Sequence, residues 1–227
     1  MRVPLFVEME GLRVLIIGGG EEGTKKARRL LSAGAVVTVL ALEHSDSLRK
    51  MVSENARLRL IYGDARNIEL LEKLISENDF IISALSDQRS IDDIIIELCN
   101  KHRKLYDLAG DAERTQVAMG IETNVDSFRI AMISGGLSSL AVMEALERIK
   151  YFLLQQKDLI ALMHLMGDLK IFMRKKNIPW RIRKEIYHMV YNHPEIRKLV
   201  LDGNIEKAKK LAEEMALEWI QENIKVH

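Results

Sequence analysis

The stretch VLIIGGGEEGTKKARRLLSAGA, residues 14–35, decides the fold of this 227-residue chain. An apolar, largely β-branched run ends at three consecutive glycines, residues 18–20, and charged residues with apolar residues at helical spacing follow. This pattern predicts a buried strand over 13–17 and an amphipathic helix over 21–33. Gly34 stands where a glycine usually ends a helix.

Gly18, Gly20 and Gly23 have the spacing of a dinucleotide-binding fingerprint, and they lie between the predicted strand and helix, as that fingerprint requires. The first glycine permits a tight turn, the second lets the backbone approach a pyrophosphate, and the third lets the helix pack closely on the strand. Free N–H groups at the helix start, around Glu21 and Glu22, would bind the anion. A tight turn without a ligand is the alternative interpretation.

A carboxylate that binds a ribose hydroxyl is expected about 20 residues beyond such a loop, near the end of the second strand. Glu43 lies two residues past the strand that we predict over 36–41. No arginine stands immediately beside Glu43, which favours NAD over NADP. An ordinary surface glutamate is the alternative.

Ser83, Ala84 and Leu85 end a later strand, which is predicted over 80–85. The carboxyl ends of parallel strands line the ligand crevice of an open α/β sheet, so these residues are candidates for contact with the nicotinamide ribose. Alternatively, this is an ordinary loop in which Ser86 or Asp87 caps the next helix.

The remaining pattern predicts an α/β fold with a Rossmann-like parallel sheet, because strands alternate with helices. Further strands are predicted over 58–62 and 104–108, and helices over 66–76 and 90–101. After residue 112 the pattern changes. Two extended runs, 116–123 and 128–134, predict a β-hairpin, and a long helix to about residue 156 and a helical tail follow. The expected domains are 1–112, 113–150 and 151–227.

The composition excludes several classes of protein. Charged residues make up 30% of the chain, but the net charge is only +1, so no general attraction to nucleic acid or membranes is expected. Cys99 is the single cysteine, which excludes an intramolecular disulfide and suits a reducing cytoplasm. The first 11 residues lack a signal-peptide core, and no uncharged run approaches membrane-spanning length. The six histidines have no metal-ligand spacing, and no metal site is predicted.

Several of these motifs occur in one order that resembles a known family. Leu5-Phe6, the glycine-loop stretch, FIISALSD and SGGLSS follow one another with the spacing of the precorrin-2 dehydrogenase family, which comprises the dehydrogenase part of sirohaem synthase and its stand-alone relatives. The resemblance covers residues 3–150 clearly. It implies NAD-dependent oxidation of precorrin-2 to sirohydrochlorin, and in some members insertion of ferrous iron. It also implies a homodimer built through residues 113–150.

The resemblance further implies an aspartate that acts as general base at the end of the fifth strand. Counting back from Gly135 without a gap places that position on Gly110, and a shift of one residue places it on Asp111. Asp111 is our first candidate and Asp107 our second, since the reaction needs a carboxylate that accepts a proton. Turn-forming aspartates are the alternative.

The segment Gly135-Gly136-Leu137-Ser138 begins a helix and offers free N–H groups and a hydroxyl, which suit a substrate carboxylate or a plain helix cap. Three positions depart from the family pattern: Leu85 replaces a threonine, and Gly120 and Ser139 replace prolines. A divergent member, or one without iron insertion, is therefore a second interpretation.

A basic segment, residues 170–184, contains no acidic residue and could receive the carboxylates of the substrate, or it could be a solvated helix face. Its cationic residues are Lys170, Arg174, Lys175, Lys176, Arg181, Arg183 and Lys184. Two other functions compete with the dehydrogenase. An NAD(H)-sensing module would share the glycine loop but would not need the SGGLSS helix start or the basic segment. A glutamyl-tRNA reductase would need a cysteine nucleophile in a domain that precedes the Rossmann fold.

Overall fold

The computed structural model describes residues 2–86 and 88–224. Its strands are β1 Arg13–Ile17, β2 Val36–Ala41, β3 Leu58–Tyr62, β4 Phe80–Ser83, β5 Leu105–Leu108, β6 Ile121–Val125 and β7 Phe128–Met132. Its helices are α1 Glu21–Ser32, α2 Asp46–Glu54, α3 Ile68–Glu77, α4 Arg89–His102, α5 Ser139–Gln155, α6 Lys157–Lys175, α7 Trp180–Asn192, α8 Pro194–Leu201 and α9 Ile205–Ile224.

The first five strands form one parallel sheet in the order β3-β2-β1-β4-β5. After β3 the chain passes to the other side of β1, so the strand order reverses between β1 and β4. Ligands of open α/β sheets bind outside the carboxyl ends of the strands at such a switch point. The Rossmann-like fold is therefore confirmed, together with the two-stranded hairpin of β6 and β7 and the helical C-terminal region.

The central strand is apolar after its first residue, Arg13, because both of its faces are buried there. Val14 and Ile16 pack in a core with Ala27, Leu30 and Leu31 of α1, whereas Leu15 and Ile17 pack in a second core that also includes residues of α3 and α4. Burying one such side chain contributes about 1.5–3 kcal/mol. The first of these cores fixes α1, and with it the glycine loop, against the end of β1.

Three sequence-based expectations need correction. The helix α2 was not predicted; it is only nine residues long, and among its residues only Leu48 is buried. The strand expected over 80–85 ends at Ser83, and the next two residues form the loop. The first hairpin strand covers Ile121–Val125 and not 116–123, because Val117 N–H donates to the carbonyl oxygen of Tyr106 in β5 at 2.9 Å.

The chain divides into two compact units. The first comprises Met1–Ile121 and Ala131–Val142 and contains the parallel sheet; the second comprises Glu122–Ile130 and Met143–His227. The second unit has a helical core to which α6, α7, α8 and α9 contribute. The division into three segments that the sequence suggested stays a prediction. No helix in the described part of the chain is long and apolar enough to cross a membrane.

Candidate dinucleotide-binding site

The glycine loop is a tight turn in which Gly18 and Gly23 have no space for a side chain. Gly18 has a φ of +117°, and a Cβ at this position would lie 2.7 Å from the carbonyl oxygen of Ala84. A Cβ at Gly23 would lie 2.0 Å from the carbonyl oxygen of Gly18. The loop is anchored to the second strand, since Gly18 N–H donates to the carbonyl oxygen of Leu40 at 2.9 Å. The first and third fingerprint glycines are thus required by packing.

The middle glycine of the fingerprint faces open space. Nothing lies within 4 Å of the Cβ position of Gly20, and this residue is the N-cap of α1 without a side chain that caps the helix. The first N–H groups of a helix have no partner within the helix and attract anions. This open cradle fits the pyrophosphate of a dinucleotide, which needs close approach to backbone N–H groups.

The first turn of α1 carries two glutamates, Glu21 and Glu22. Their exposed carboxylates lie 2.7 Å from Lys25 Nζ and 3.9 Å from Lys26 Nζ, respectively. Each lysine partly offsets a negative charge that would otherwise oppose a bound phosphate. These two residues would therefore bind an anion through their backbone N–H groups and not through their side chains.

A cavity of about 220 Å³ opens beside the glycine loop, at the ends of β1, β2 and β3. Glu43 lines it, as expected for a ribose-binding carboxylate, and so does Leu85. Gly19 lies so close to the β2–α2 loop that a Cβ would be 2.4 Å from the carbonyl oxygen of Glu43. The volume is below the 300–1,000 Å³ typical of sites for a whole ligand.

Sequence reasoning missed Asp64 and Arg66, which line the same cavity. They lie two and four residues after the end of β3, and the rule that ligands bind at the carboxyl ends of parallel strands would have found them. Their charged groups are 3.8 Å apart. An arginine therefore faces the cavity that Glu43 lines, although none is adjacent to Glu43 in sequence.

The residues at the end of β4 make two different structural contacts. Ala84 contacts the glycine loop, whereas the buried Ser83 hydroxyl donates to Asp92 Oδ1 in α4 at 2.6 Å. Burial raises the pKa of Asp92, and the Ser83 hydrogen bond opposes this effect. The N-cap of α4 is Gln88, so Ser86 does not cap this helix. Asp87 lies outside the described residues.

The carboxylate of the first candidate base, Asp111, accepts hydrogen bonds from Arg114, three residues later. Arg114 Nε donates to Asp111 Oδ2 at 2.6 Å, and the backbone N–H groups of Arg114 and Glu113 donate to Oδ1 at 3.0 and 3.2 Å. The hydrogen bond from the Arg114 side chain lowers the pKa of Asp111. Arg114 also pairs with Asp93 of α4. Asp111 is therefore an ionised and partly accessible carboxylate.

The second candidate base, Asp107, lies in β5 one residue before the strand ends. Its Oδ2 accepts a hydrogen bond from Lys26 Nζ at 2.7 Å, and the side chains of Lys26 and Asp107 are only 12% and 5% exposed. Thr115 Oγ1 lies 3.4 Å from the other carboxylate oxygen. Asp107 thus forms a buried ion pair that joins β5 to the glycine-loop helix.

The SGGLSS segment contacts the loop that carries Asp111. Gly136 has a φ of +91°, and a Cβ there would lie 2.7 Å from Ala112 Cβ, whereas nothing lies within 4 Å of the Cβ position of Gly135. The Ser138 hydroxyl accepts a hydrogen bond from Ala141 N–H at 3.1 Å, so it caps α5. A Cβ at Gly110, in the same loop, would lie 3.9 Å from the carbonyl oxygen of Leu85. The ends of β4 and β5 and the start of α5 are therefore close together.

Within residues 2–86 and 88–224, no group of three or more His, Cys, Asp or Glu side chains could hold a metal ion. Asp92, Asp93 and Asp111 instead lie near the single cation of Arg114.

Three known proteins resemble this chain over most of its length. A "Putative precorrin-2 dehydrogenase" of Methanocaldococcus jannaschii is 25% identical over 203 residues, which are 87% of this chain and 96% of that protein. "Siroheme synthase 2" of Yersinia pseudotuberculosis is 26% identical over 93% of this chain, but the chain spans only 43% of its length. The solved structure of "SirC, precorrin-2 dehydrogenase" has the same fold, with a TM-score of 0.63 and 18% identity over 91% of this chain and all of that one.

A family model described as "Putative NAD(P)-binding" matches residues 5–121. The match contains the glycine loop, Glu43, the end of β4 and both candidate aspartates, and it covers more than half of the 227 residues. The protein is thus a member of this NAD(P)-binding family.

Proposed function

We propose that the chain catalyses the NAD-dependent oxidation of precorrin-2 to sirohydrochlorin, a step of sirohaem biosynthesis. The observation that carries this proposal is the position of Leu85, between the candidate cofactor cavity and the loop that carries the candidate base. This residue lines the cavity beside the glycine loop, and its carbonyl oxygen approaches Gly110 in the loop that carries Asp111. A hydride acceptor and a proton acceptor are both needed for this oxidation, and the likeness to precorrin-2 dehydrogenases along the chain supports the substrate.

The cofactor-binding residues have separate tasks. The N–H groups that follow Gly20 bind the pyrophosphate, the Glu43 carboxylate accepts hydrogen bonds from the ribose hydroxyls, and the residues after Ser83 lie beside the nicotinamide ribose. Bound NAD supplies the acceptor for the hydride that leaves the macrocycle. Glu43 would repel a 2′-phosphate, which supports NAD rather than NADP; Arg66, which lines the same cavity, is the residue that could offset this repulsion.

Asp111 accepts the proton that the macrocycle loses when the hydride departs. Pairing with Arg114 keeps its carboxylate ionised at neutral pH, and its side chain is 15% exposed. Asp107 is the weaker candidate, because its carboxylate is bound to Lys26 and almost completely buried. The oxidation leaves a new double bond in the macrocycle, one hydride on the cofactor and one proton on the base.

The start of α5 is proposed to bind a rim carboxylate of the substrate. The free space beside Gly135 supports this role for the N–H groups of Gly135 and Gly136. Ser138 contributes indirectly, since its hydroxyl is engaged in capping α5. Ferrous iron would be a second substrate, which is inserted into the tetrapyrrole. The assay described below tests this insertion separately.

We also propose a cytoplasmic homodimer formed through residues 113–150. Large apolar side chains near the start of α5 support it: Leu137, Leu140 and Met143 are 89%, 75% and 52% exposed. Contiguous exposed apolar surface commonly marks a protein interface. The cytoplasmic location is supported by the lone, buried Cys99, which suits a reducing compartment.

The test is an anaerobic assay of purified protein with fresh precorrin-2 and either NAD or NADP, in which sirohydrochlorin is followed by its absorbance. Asp111→Asn should lower kcat by about 10²–10⁴-fold, the usual contribution of a general base, and Asp107→Asn should act mainly on stability. Adding ferrous iron tests chelation. NAD binding without turnover in the unmodified protein would refute the enzyme and support an NAD-sensing module.

A further inference from the structure

The basic segment is unusual in how little its charge is compensated. Seven lysines and arginines lie between residues 170 and 184 without one acidic residue. Among the residues that the structure describes, none of these seven has an ion-pair partner. Some helical lysines elsewhere do have one: Lys25 pairs with Glu21, and Lys209 with Asp168.

The fold concentrates this charge at one helix junction. Asn177 has a φ of 55°, and its N–H donates to the carbonyl oxygen of Arg174 at 3.0 Å. Ile178 N–H donates to the carbonyl oxygen of Met173 at 3.2 Å. These bonds close the last turn of α6 onto a short connection, so α7 begins only four residues after Lys176. The cations of both helix ends are therefore neighbours.

The charge also opposes the stability of α7. The positive end of a helix dipole favours acidic residues in the first turn. The first turn of α7 has no acidic residue, but it includes Arg181 and Arg183, and no side chain caps this end. Both the backbone and the side chains thus make the start of α7 positive. The start of α7 is therefore a favourable position for a bound anion.

An exposed aromatic ring lies among these cations. The indole of Trp180 is 61% exposed, and Ile171 is 53% exposed. The Arg183 guanidinium lies 5.8 Å from the Trp180 ring centre. The junction therefore combines an exposed aromatic ring with a cation beside it, and the other cations of the basic segment lie a few residues away along the chain.

We propose that this junction is a docking surface for the tetrapyrrole, separate from the residues that bind the cofactor. The macrocycle stacks on Trp180, and the cations of the basic segment pair with the acetate and propionate groups at its rim. The substrate assigned here rests on the proposed function. RNA is a poorer match, because sites for single-stranded nucleic acid align several aromatic rings along a groove, whereas Trp180 is the exposed aromatic ring of this segment.

The direct test is binding of uroporphyrin, which carries acetate and propionate groups around a flat ring, to the full chain. Quenching of tryptophan fluorescence gives the Kd. The triple variant Arg174→Gln/Lys176→Gln/Arg181→Gln should weaken binding at least about tenfold at low salt, since each lost cation removes one charge-assisted contact. The control Lys157→Gln/Lys198→Gln/Lys207→Gln removes the same charge from exposed positions of the same unit and should change Kd less than about twofold.

Two further measurements separate the contributions. Trp180→Leu should weaken uroporphyrin and coproporphyrin alike, because both rings stack; since this variant lacks the reporting indole, its Kd is measured by titration calorimetry. The triple variant should weaken coproporphyrin less than uroporphyrin, because coproporphyrin has methyl groups in place of the acetates. Circular dichroism checks that every variant keeps its helix content. Equal Kd values for the triple variant and its control would overturn the proposal, as would RNA that binds more tightly than uroporphyrin and displaces it.

These readouts do not depend on turnover. If the unmodified protein does not oxidise precorrin-2 but the triple variant selectively loses uroporphyrin, the docking surface stands and the proposed activity fails. If oxidation occurs, the triple variant should raise KM with kcat unchanged. Oxidation with unchanged KM in that variant overturns the docking surface and leaves the activity standing.

Discussion

The buried ion pair between Lys26 and Asp107 yields a sharp prediction about stability. It joins the glycine-loop helix to the last strand of the parallel sheet through a contact of 2.7 Å between residues that are 81 positions apart. Both side chains are largely removed from water. Loss of one partner leaves the other charge buried and unpaired, which typically costs about 3–5 kcal/mol.

The surroundings predict which loss costs more. Without Asp107, the Lys26 ammonium keeps Glu22 at 3.9 Å and can reach water through its 12% exposed side chain. Without Lys26, the Asp107 carboxylate keeps only a long contact with Thr115, at 3.4 Å. Asp107→Asn should therefore cost about 3 kcal/mol, and Lys26→Met nearer 5 kcal/mol. The double variant should cost at least about 2 kcal/mol less than the sum, because neither charge is left alone.

Urea unfolding of the four proteins, followed by circular dichroism, measures these differences, and melting temperatures should fall by about 2–4 °C for each kcal/mol. Arg13→Met is the matched control, since it removes one partner of the exposed Arg13–Asp79 pair and should cost no more than about 1 kcal/mol. Single variants that each cost less than about 1 kcal/mol, or a double variant that loses the full sum, would refute the reasoning.

Three other predictions concern the site. Gly20→Ala should leave the melting temperature within about 2 °C but weaken NAD at least about tenfold, because its Cβ enters the open cradle; Gly23→Ala should instead destabilise the fold, because its Cβ would lie 2.0 Å from a carbonyl oxygen. Asp92→Asn should raise the free energy of unfolding at pH 7 and have less effect as the pH falls towards 4: burial raises the folded-state pKa of this carboxyl, so its ionisation opposes folding only above the unfolded-state pKa. Arg114→Gln should move the acidic limb of kcat/KM to higher pH, since this arginine lowers the pKa of Asp111.

Each of these has a contrary outcome. If calorimetry shows unchanged NAD affinity in Gly20→Ala, the pyrophosphate does not bind at the start of α1. Asp92→Asn that is less stable than the parent at pH 7 would mean that the Ser83 hydrogen bond outweighs the burial of charge. An acidic limb that does not move in Arg114→Gln would assign the proton acceptor to another residue.

The central part of the fold could be predicted from the sequence because the spacing of its apolar residues is typical of strands and helices. The strands β1, β2 and β3 have the predicted bounds, since each is a mainly apolar run that is followed within two residues by a glycine or a charged residue. The helix α2 was not predicted, because it is short and buries only one side chain completely, that of Leu48. The hairpin was placed too early because extended backbone at Val117 pairs with β5, a partner that local sequence does not reveal.

The site was predictable where one local motif specifies it, and not where distant residues meet. The glycine loop and Glu43 follow from spacing along the chain, and both lie at the cavity. The contacts of Lys26 with Asp107 and of Ser83 with Asp92 depend on the packing of helices on the sheet. No periodicity along the chain encodes that arrangement.

The division of the chain into two units has a consequence for synthesis. Residues up to 121 need Ala131–Val142 to complete their unit, whereas the intervening Glu122–Ile130 belongs to the other. At about 5–20 residues per second, the ribosome adds the 21 residues from position 122 to position 142 in roughly 1–4 s. During this interval the nascent nucleotide-binding unit is incomplete and open to chaperones. A single proteolytic cut between residues 122 and 130 would interrupt the covalent path of both units at once.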